Sequence, residues 1–155
     1  MSTVQIWQTE SSSLEATLRL GEQVGQNLRG GEVIELISDL GGGKTSFVRG
    51  LAIGLRSEDT VHSPSFTISN QYKSDIFTLH HLDFYRLNET GTMKEVLTEI
   101  LSEPSNIVVV EWAGIIKNVL PNERLRIRIT PTSETSRTFE FAYPDELDYL
   151  LPRDT

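Results

Sequence analysis

Glu32-Val-Ile-Glu-Leu-Ile-Ser-Asp-Leu-Gly-Gly-Gly-Lys-Thr45 is a short, mostly apolar run that breaks into three consecutive glycines and then a lysine and a threonine. An apolar run of this length suits a parallel strand covered on both faces. Phe47, Val48, Leu51, Ala52 and Leu55 follow at helical spacing, so the local order reads strand, glycine loop, helix. Such a turn leaves successive backbone N–H groups pointing into a concavity at the positive end of the helix dipole, where phosphate is the expected occupant. Gly41, Gly42 and Gly43 let the backbone wrap closely. Lys44 supplies a point charge for β- and γ-phosphate oxygens, and the Thr45 hydroxyl is placed to ligate magnesium. The full G-x-x-x-x-G-K-[ST] pattern is not met, because Ser38 stands where the first glycine would be.

Upstream, Val4 to Gln8 reads as a short strand. Ser12-x-x-Glu15 offers a capping box for a helix through Leu14, Leu18, Val24 and Leu28, stopped by Gly30-Gly31. Downstream, Val61 to Phe66 is a loop punctuated by Pro64, and Phe66 to Tyr72 is extended. Ile76 to Asp83 is a strand, and Asn88 to Leu101 is a helix ended by Pro104. Asn106-Ile-Val-Val-Val-Glu111 is a buried strand. Arg124 to Ile129 and Thr138 to Tyr143 alternate with period two and read as an antiparallel hairpin appended to the parallel core. Alternation sends Leu125, Ile127 and Ile129 to one face. It sends Arg124, Arg126 and Arg128 to the other, as a solvated row paired with Glu140.

Two strands therefore end on a carboxylate, Asp83 and Glu111. In an open parallel sheet that C-terminal edge is where ligands bind. One acid can hold magnesium, directly or through water, while the other orients or deprotonates an attacking water. His80 and His81 are neighbours on a strand and face opposite sides, so they cannot easily share a metal. Each histidine, His62 included, reads as hydrogen-bonded structure. Trp112 is open between stacking on a base or partner and packing in the core.

With 155 residues the chain is one domain's length, expected to be a single unit over 1–155. Its 22 Asp and Glu against 14 Lys and Arg give a formal charge of −8, which repels polyanions and disfavours nonspecific nucleic-acid or membrane binding. The absence of cysteine excludes thiol catalysis, disulfides and Cys-based zinc or iron–sulfur sites. The opening residues lack a basic and then apolar leader, and no apolar run approaches the roughly 20 residues of a membrane span. A soluble, cytoplasmic protein without membrane attachment is the expectation.

Four segments in order carry a resemblance: Ser38 to Leu55, His62-Ser-Pro-Ser-Phe-Thr67, His81-Leu-Asp-Phe-Tyr-Arg-Leu87 and Val110-Glu-Trp112. Together they resemble the TsaE (YjeE) family, small bacterial P-loop ATPases required for threonylcarbamoyladenosine (t6A) modification of tRNA next to the anticodon. The likeness spans about Thr9 to Tyr143. It implies an α/β P-loop NTPase fold with a mostly parallel central sheet flanked by helices and a C-terminal antiparallel hairpin. It further implies ATP and Mg2+ as cofactors, with Gly41, Gly42, Gly43, Lys44, Thr45 and Ser46 on the phosphates and Thr45 and Glu111 on magnesium. Asp83 would fill a Walker-B-like role near the metal or attacking water, Thr9 would contact adenine, and Ser63 to Phe66 would be a nucleotide-sensing loop. TsaD-type and TsaB-type proteins are the implied partners, with tRNA held through them. The family usually has glycine at Ser38 and threonine at Ser65.

The leading reading is a magnesium-dependent ATP hydrolase in that role, slow without its partners, with Lys44, Asp83 and Glu111 carrying the chemistry. A nucleotide or small-molecule kinase shares the loop, but between Asn88 and Leu101 the chain has no arginine for a lid. A nucleotide-gated binding module with incidental hydrolysis is the third reading, supported by Ser38 and by the absence of an obvious arginine finger beyond Arg49 and Arg86.

Overall fold

The computed structural model describes residues 3–38, 43–59, 69–83, 91–111 and 120–153, without the side chains of Ser69 and of residues 91–94. Seven strands form one sheet: β1 (Val4–Ser11), β2 (Val33–Ile37), β3 (Ser69–Lys73), β4 (Thr78–Asp83), β5 (Asn106–Glu111), β6 (Leu125–Pro131) and β7 (Arg137–Pro144). Their spatial order is β1-β7-β6-β2-β5-β4-β3. The inner four, β6, β2, β5 and β4, run parallel, and antiparallel partners extend the sheet on both sides. The C-terminal hairpin is β6–β7, and β1 adds a third strand to it. The sequence reading had not joined that first strand to the hairpin.

Helices α1 (Leu14–Asn27) and α2 (Lys44–Gly54) cover one face, and α3 (Gly91–Leu101) packs on β5. The larger core lies under α1 and α2, where Phe47, Val48 and Leu51 meet Leu36, Ile127, Phe139 and Phe141. A smaller cluster of Val33, Leu82, Leu97, Val108, Val110 and Leu120 occupies the opposite face. β2 is buried from Val33 through Leu36, as a strand covered on both sides requires. Strand alternation then directs Leu79, His81 and Asp83 to the α2 side and His80 and Leu82 to the other.

The N-cap of α1 is Ser13, one residue later than the expected capping box. Its hydroxyl accepts from the Ala16 amide at 3.0 Å, while Ser11 Oγ lies 2.6 Å from Thr17 Oγ1. The helix closes before the glycines because Glu32 gathers the turn. Its carboxylate accepts the Arg29 and Gly30 amides at 2.7 and 2.8 Å and the Tyr149 hydroxyl at 2.6 Å. Tyr149 belongs to a C-terminal 3-10 helix (Asp145–Leu150), and the Arg29 guanidinium stacks 3.8 Å above its ring.

The two main helices cross at backbone distance. A Cβ on Gly21 would lie 2.3 Å from Phe47 O, one on Gly50 2.2 Å from Leu18 O, and one on Gly54 2.3 Å from Glu22 O. Glycines four apart on each helix, Gly21 and Gly25 against Gly50 and Gly54, thereby clamp α2 to α1 and fix where its N-terminus points. The arginine row also differs from expectation. Arg124 is buried, its Nε donating to Glu35 Oε1 at 2.8 Å and its Nη1 to Pro121 O at 3.0 Å, while Arg128 stays exposed opposite Glu140. Arg126, between them, is half-buried.

Candidate functional site

Gly43 is the N-cap of α2 with φ 95, a left-handed conformation that disfavours any side chain. The helix then begins at Lys44, with Thr45 and Ser46 half-buried in its first turn. The first amides of a helix have no intrahelical partner, and the N-cap Gly43 has no side chain to cap them. A positive, donor-rich end therefore faces the C-terminal edge of the sheet.

Lys44 is buried, and its Nζ lies 3.1 Å from Glu111 Oε1. The other oxygen, Oε2, is hydrogen-bonded by His81 Nε2. Burial pushes the Glu111 carboxyl up, but the His81 hydrogen bond and charge, joined by Lys44, outweigh it and hold the group below its ordinary value. Glu111 is thus an ionised carboxylate with a cation on one oxygen and an imidazole on the other. Asp83 is its register partner on the neighbouring parallel strand and is half-buried. Lys44, Glu111 and Asp83 therefore converge from α2, β5 and β4.

Thr9 stands elsewhere, opposite Phe139 on β1 and four strands from β5, a span of about 19 Å at the usual strand spacing. Gly41, Gly42, Trp112, Arg86 and the segment from His62 to Thr67 lie outside the described residues. Arg49 is exposed on α2.

Two further residues stand at this site. His81, which reads from sequence as hydrogen-bonded structure, is hydrogen-bonded, and its partner is Glu111. The signal was available, since His81 and Asp83 are two apart on one strand and share a face. Arg137, at the start of β7, was not singled out at all. A methyl group on Gly43 would lie 3.7 Å from its Nε, so its guanidinium stands beside the glycine turn while Nη1 donates to Ser133 O and Ser136 O. No local pattern marks it, because its place follows from the β6–β7 hairpin lying beside β2.

A buried parallel strand, a left-handed glycine turn, a lysine-led helix and acids at neighbouring strand ends define the nucleotide-binding P-loop NTPase class. Within it, the family model described as "Threonylcarbamoyl adenosine biosynthesis protein TsaE" matches residues 11–139. The chain belongs to the TsaE family. It is 33% identical over 135 residues to the tRNA threonylcarbamoyladenosine biosynthesis protein TsaE of Bacillus subtilis, covering 87% of this chain and 83% of that one. To the protein of the same name from Nostoc sp. it is 36% identical over 129 residues, covering 81% and 79%. The crystal structure of YdiB from Bacillus subtilis superimposes with a TM-score of 0.79 at 28% identity, covering 97% of this chain and 94% of that one. Among the described residues, no helix is long and apolar enough to cross a membrane.

Proposed function

We propose that this chain is a magnesium-dependent ATP hydrolase that serves t6A modification of tRNA by acting on TsaD-type and TsaB-type partners. The observation that carries the reading is the meeting of Lys44 with Glu111 at the C-terminal edge of the sheet, with Asp83 in register beside it. The pathway comes from the family and from relatives that bear its name.

The residues fit a magnesium–nucleotide. The donor set is hard oxygen, from the Thr45 hydroxyl, the Glu111 carboxylate and Asp83, the chemistry magnesium prefers. Among the described residues no three His, Asp or Glu side chains gather into a metal site of their own, so most ligands would come from phosphate and water. The left-handed turn at Gly43 leaves the backbone bare for close approach of a phosphate. When bound, magnesium would neutralise charge on the phosphates and template an in-line attack.

The chain's own residues do the rest. The amides of the glycine loop and of the residues that follow it, Gly41 to Ser46 in sequence, cradle the β- and γ-phosphates. Lys44 exchanges Glu111 for phosphate oxygens and stabilises the charge that develops there. Thr45 and Glu111 would hold the cation, while Asp83 would orient the attacking water and accept its hydrogen bond. Thr9 meets the nucleotide at its base end, far from the reacting phosphoryl group. With a charge of −8 the chain is unsuited to gripping tRNA, and that task falls to the partners.

The test is ATP turnover measured with and without purified TsaD-type and TsaB-type proteins and tRNA. Stimulation by the mixture is expected, and Lys44→Ala and Glu111→Ala should each abolish it. Wild-type turnover from either variant would refute the assignment. A nonhydrolysable ATP analogue that sustained many rounds of modification would show that nucleotide acts as a gate and not as fuel.

A further inference from the structure

We propose that His81 is the positioning residue for Glu111, holding one carboxylate oxygen so that the other is delivered to the cation when Lys44 leaves. This rests on the nucleotide reading above and adds a residue to it.

Among the described residues, the two oxygens of Glu111 have two partners of different fate. Oε1 is held by Lys44 at 3.1 Å, and Lys44 is the group that phosphate must draw away. Oε2 is held by His81, which is 1% exposed and anchored in β4. The β4–β5 register puts His81 opposite Val109 and Asp83 opposite Glu111, so His81 and Glu111 form a diagonal pair on the α2 face. Departure of Lys44 thus frees one oxygen while the strand pairing keeps the other in place. Without His81 the carboxylate would be free to rotate about its terminal torsion, which is broad.

The imidazole itself indicates how it does this. Its Nδ1 is buried and has no hydrogen-bond partner among the described residues. A proton there would be an unpaired buried donor, whereas a proton on Nε2 meets Glu111. His81 therefore presents its Nε2–H to Glu111 and orients the carboxylate from the side away from Lys44. Side chains that hydrogen-bond a metal-binding carboxylate from behind commonly change metal affinity by about 10–100-fold when removed.

The experiment compares wild type, His81→Phe, which fills the space without a donor, and His81→Gln, which keeps an N–H at similar reach. Binding of a fluorescent ATP analogue in EDTA reads the loop and Lys44, and should stay within about twofold of wild type for both variants. Titrating magnesium into the analogue complex should show half-saturation raised about tenfold or more in His81→Phe and largely restored in His81→Gln. kcat should follow the same order, with KM nearly unchanged. Wild-type magnesium half-saturation in His81→Phe would overturn the proposal. The wild-type chain without nucleotide gives an independent readout from the imidazole 15N shifts. A proton on Nε2 is expected, and a bare Nε2 would overturn the proposal even if a variant failed to fold. If wild type itself bound no magnesium–nucleotide, the hydrolase reading would fall, whereas the 15N result would still decide whether His81 donates to Glu111.

Discussion

Replacing Gly50 by alanine tests whether the α1–α2 crossing is held at backbone contact. The new Cβ would meet Leu18 O at 2.2 Å, the Glu22 amide nitrogen at 2.8 Å and Gly21 Cα at 2.9 Å, all main-chain atoms that cannot rotate aside. Restoring even a tight contact needs about 1 Å more between the helices, and a gap of that order forfeits roughly a quarter to a half of the dispersion energy of each pair across it. Overpacking of this kind costs about 3 kcal/mol at the upper end of its common range. Alanine's better helix propensity returns about 1 kcal/mol, leaving a net loss of about 2 kcal/mol. For a chain of this length that lowers Tm by roughly 4–8 °C. Thermal unfolding followed by circular dichroism reads it directly, with Arg49→Ala on the exposed side of the same helix as a control that should move little. Gly21 faces Gly50, so the double variant Gly21→Ala/Gly50→Ala should cost less than the two singles added together, because the first opens the gap that the second needs. A Gly50→Ala protein as stable as wild type, or additive singles, would refute the close crossing.

Two further outcomes follow from buried polar groups. Burial holds His80 below the ordinary histidine value, with a side-chain hydrogen bond to Asn106 opposing and the Lys73 charge acting in the same direction as burial. Below about pH 6.5 the unfolded chain takes up a proton that the folded chain refuses, so stability is full above that pH and falls as the pH drops toward the folded value. Urea midpoints from pH 7.5 down to 5 should decline, and the decline should be shallower in His80→Leu; parallel slopes would remove His80 as the cause. Glu35→Ala should cost about 3–5 kcal/mol, because it leaves the Arg124 guanidinium buried without its carboxylate, whereas Glu35→Leu/Arg124→Leu should be far milder. Equal losses in the urea midpoint for the single and double variants would contradict the pairing.

The strand, glycine turn and helix were legible from residues 32–55 alone, because burial on both faces and a sharp change of period are local properties. The two strand-end acids were legible for a similar reason: each is the first carboxylate after a run of apolar strand residues. What escaped depends on contacts between segments far apart in sequence. Gly21, Gly25, Gly50 and Gly54 read as neutral helix residues until the helices are brought together. Arg124 matched the solvent face by alternation, yet Glu35 on the adjacent strand draws it inside. Arg137 has no motif, and only the hairpin's return brings it to the glycine turn. His81 was recoverable, since its face was fixed by alternation with Asp83, but its partner Glu111 lies 30 residues away on another strand.

The joining of β1 to β7 also sets an order of events during synthesis. Gln8 meets Glu140 across a separation of 132 residues. At ordinary ribosomal speed roughly 7–26 s pass between the emergence of one and the other. Helices α1 and α2 can meet long before that, being neighbours in sequence, so the glycine crossing is available as an early unit while the first strand waits with its edge unpaired. The nascent chain therefore carries an open β-edge for most of its elongation. Its alternating Val4, Ile6 and Gln8 make that edge the segment most in need of shielding until the last strand arrives.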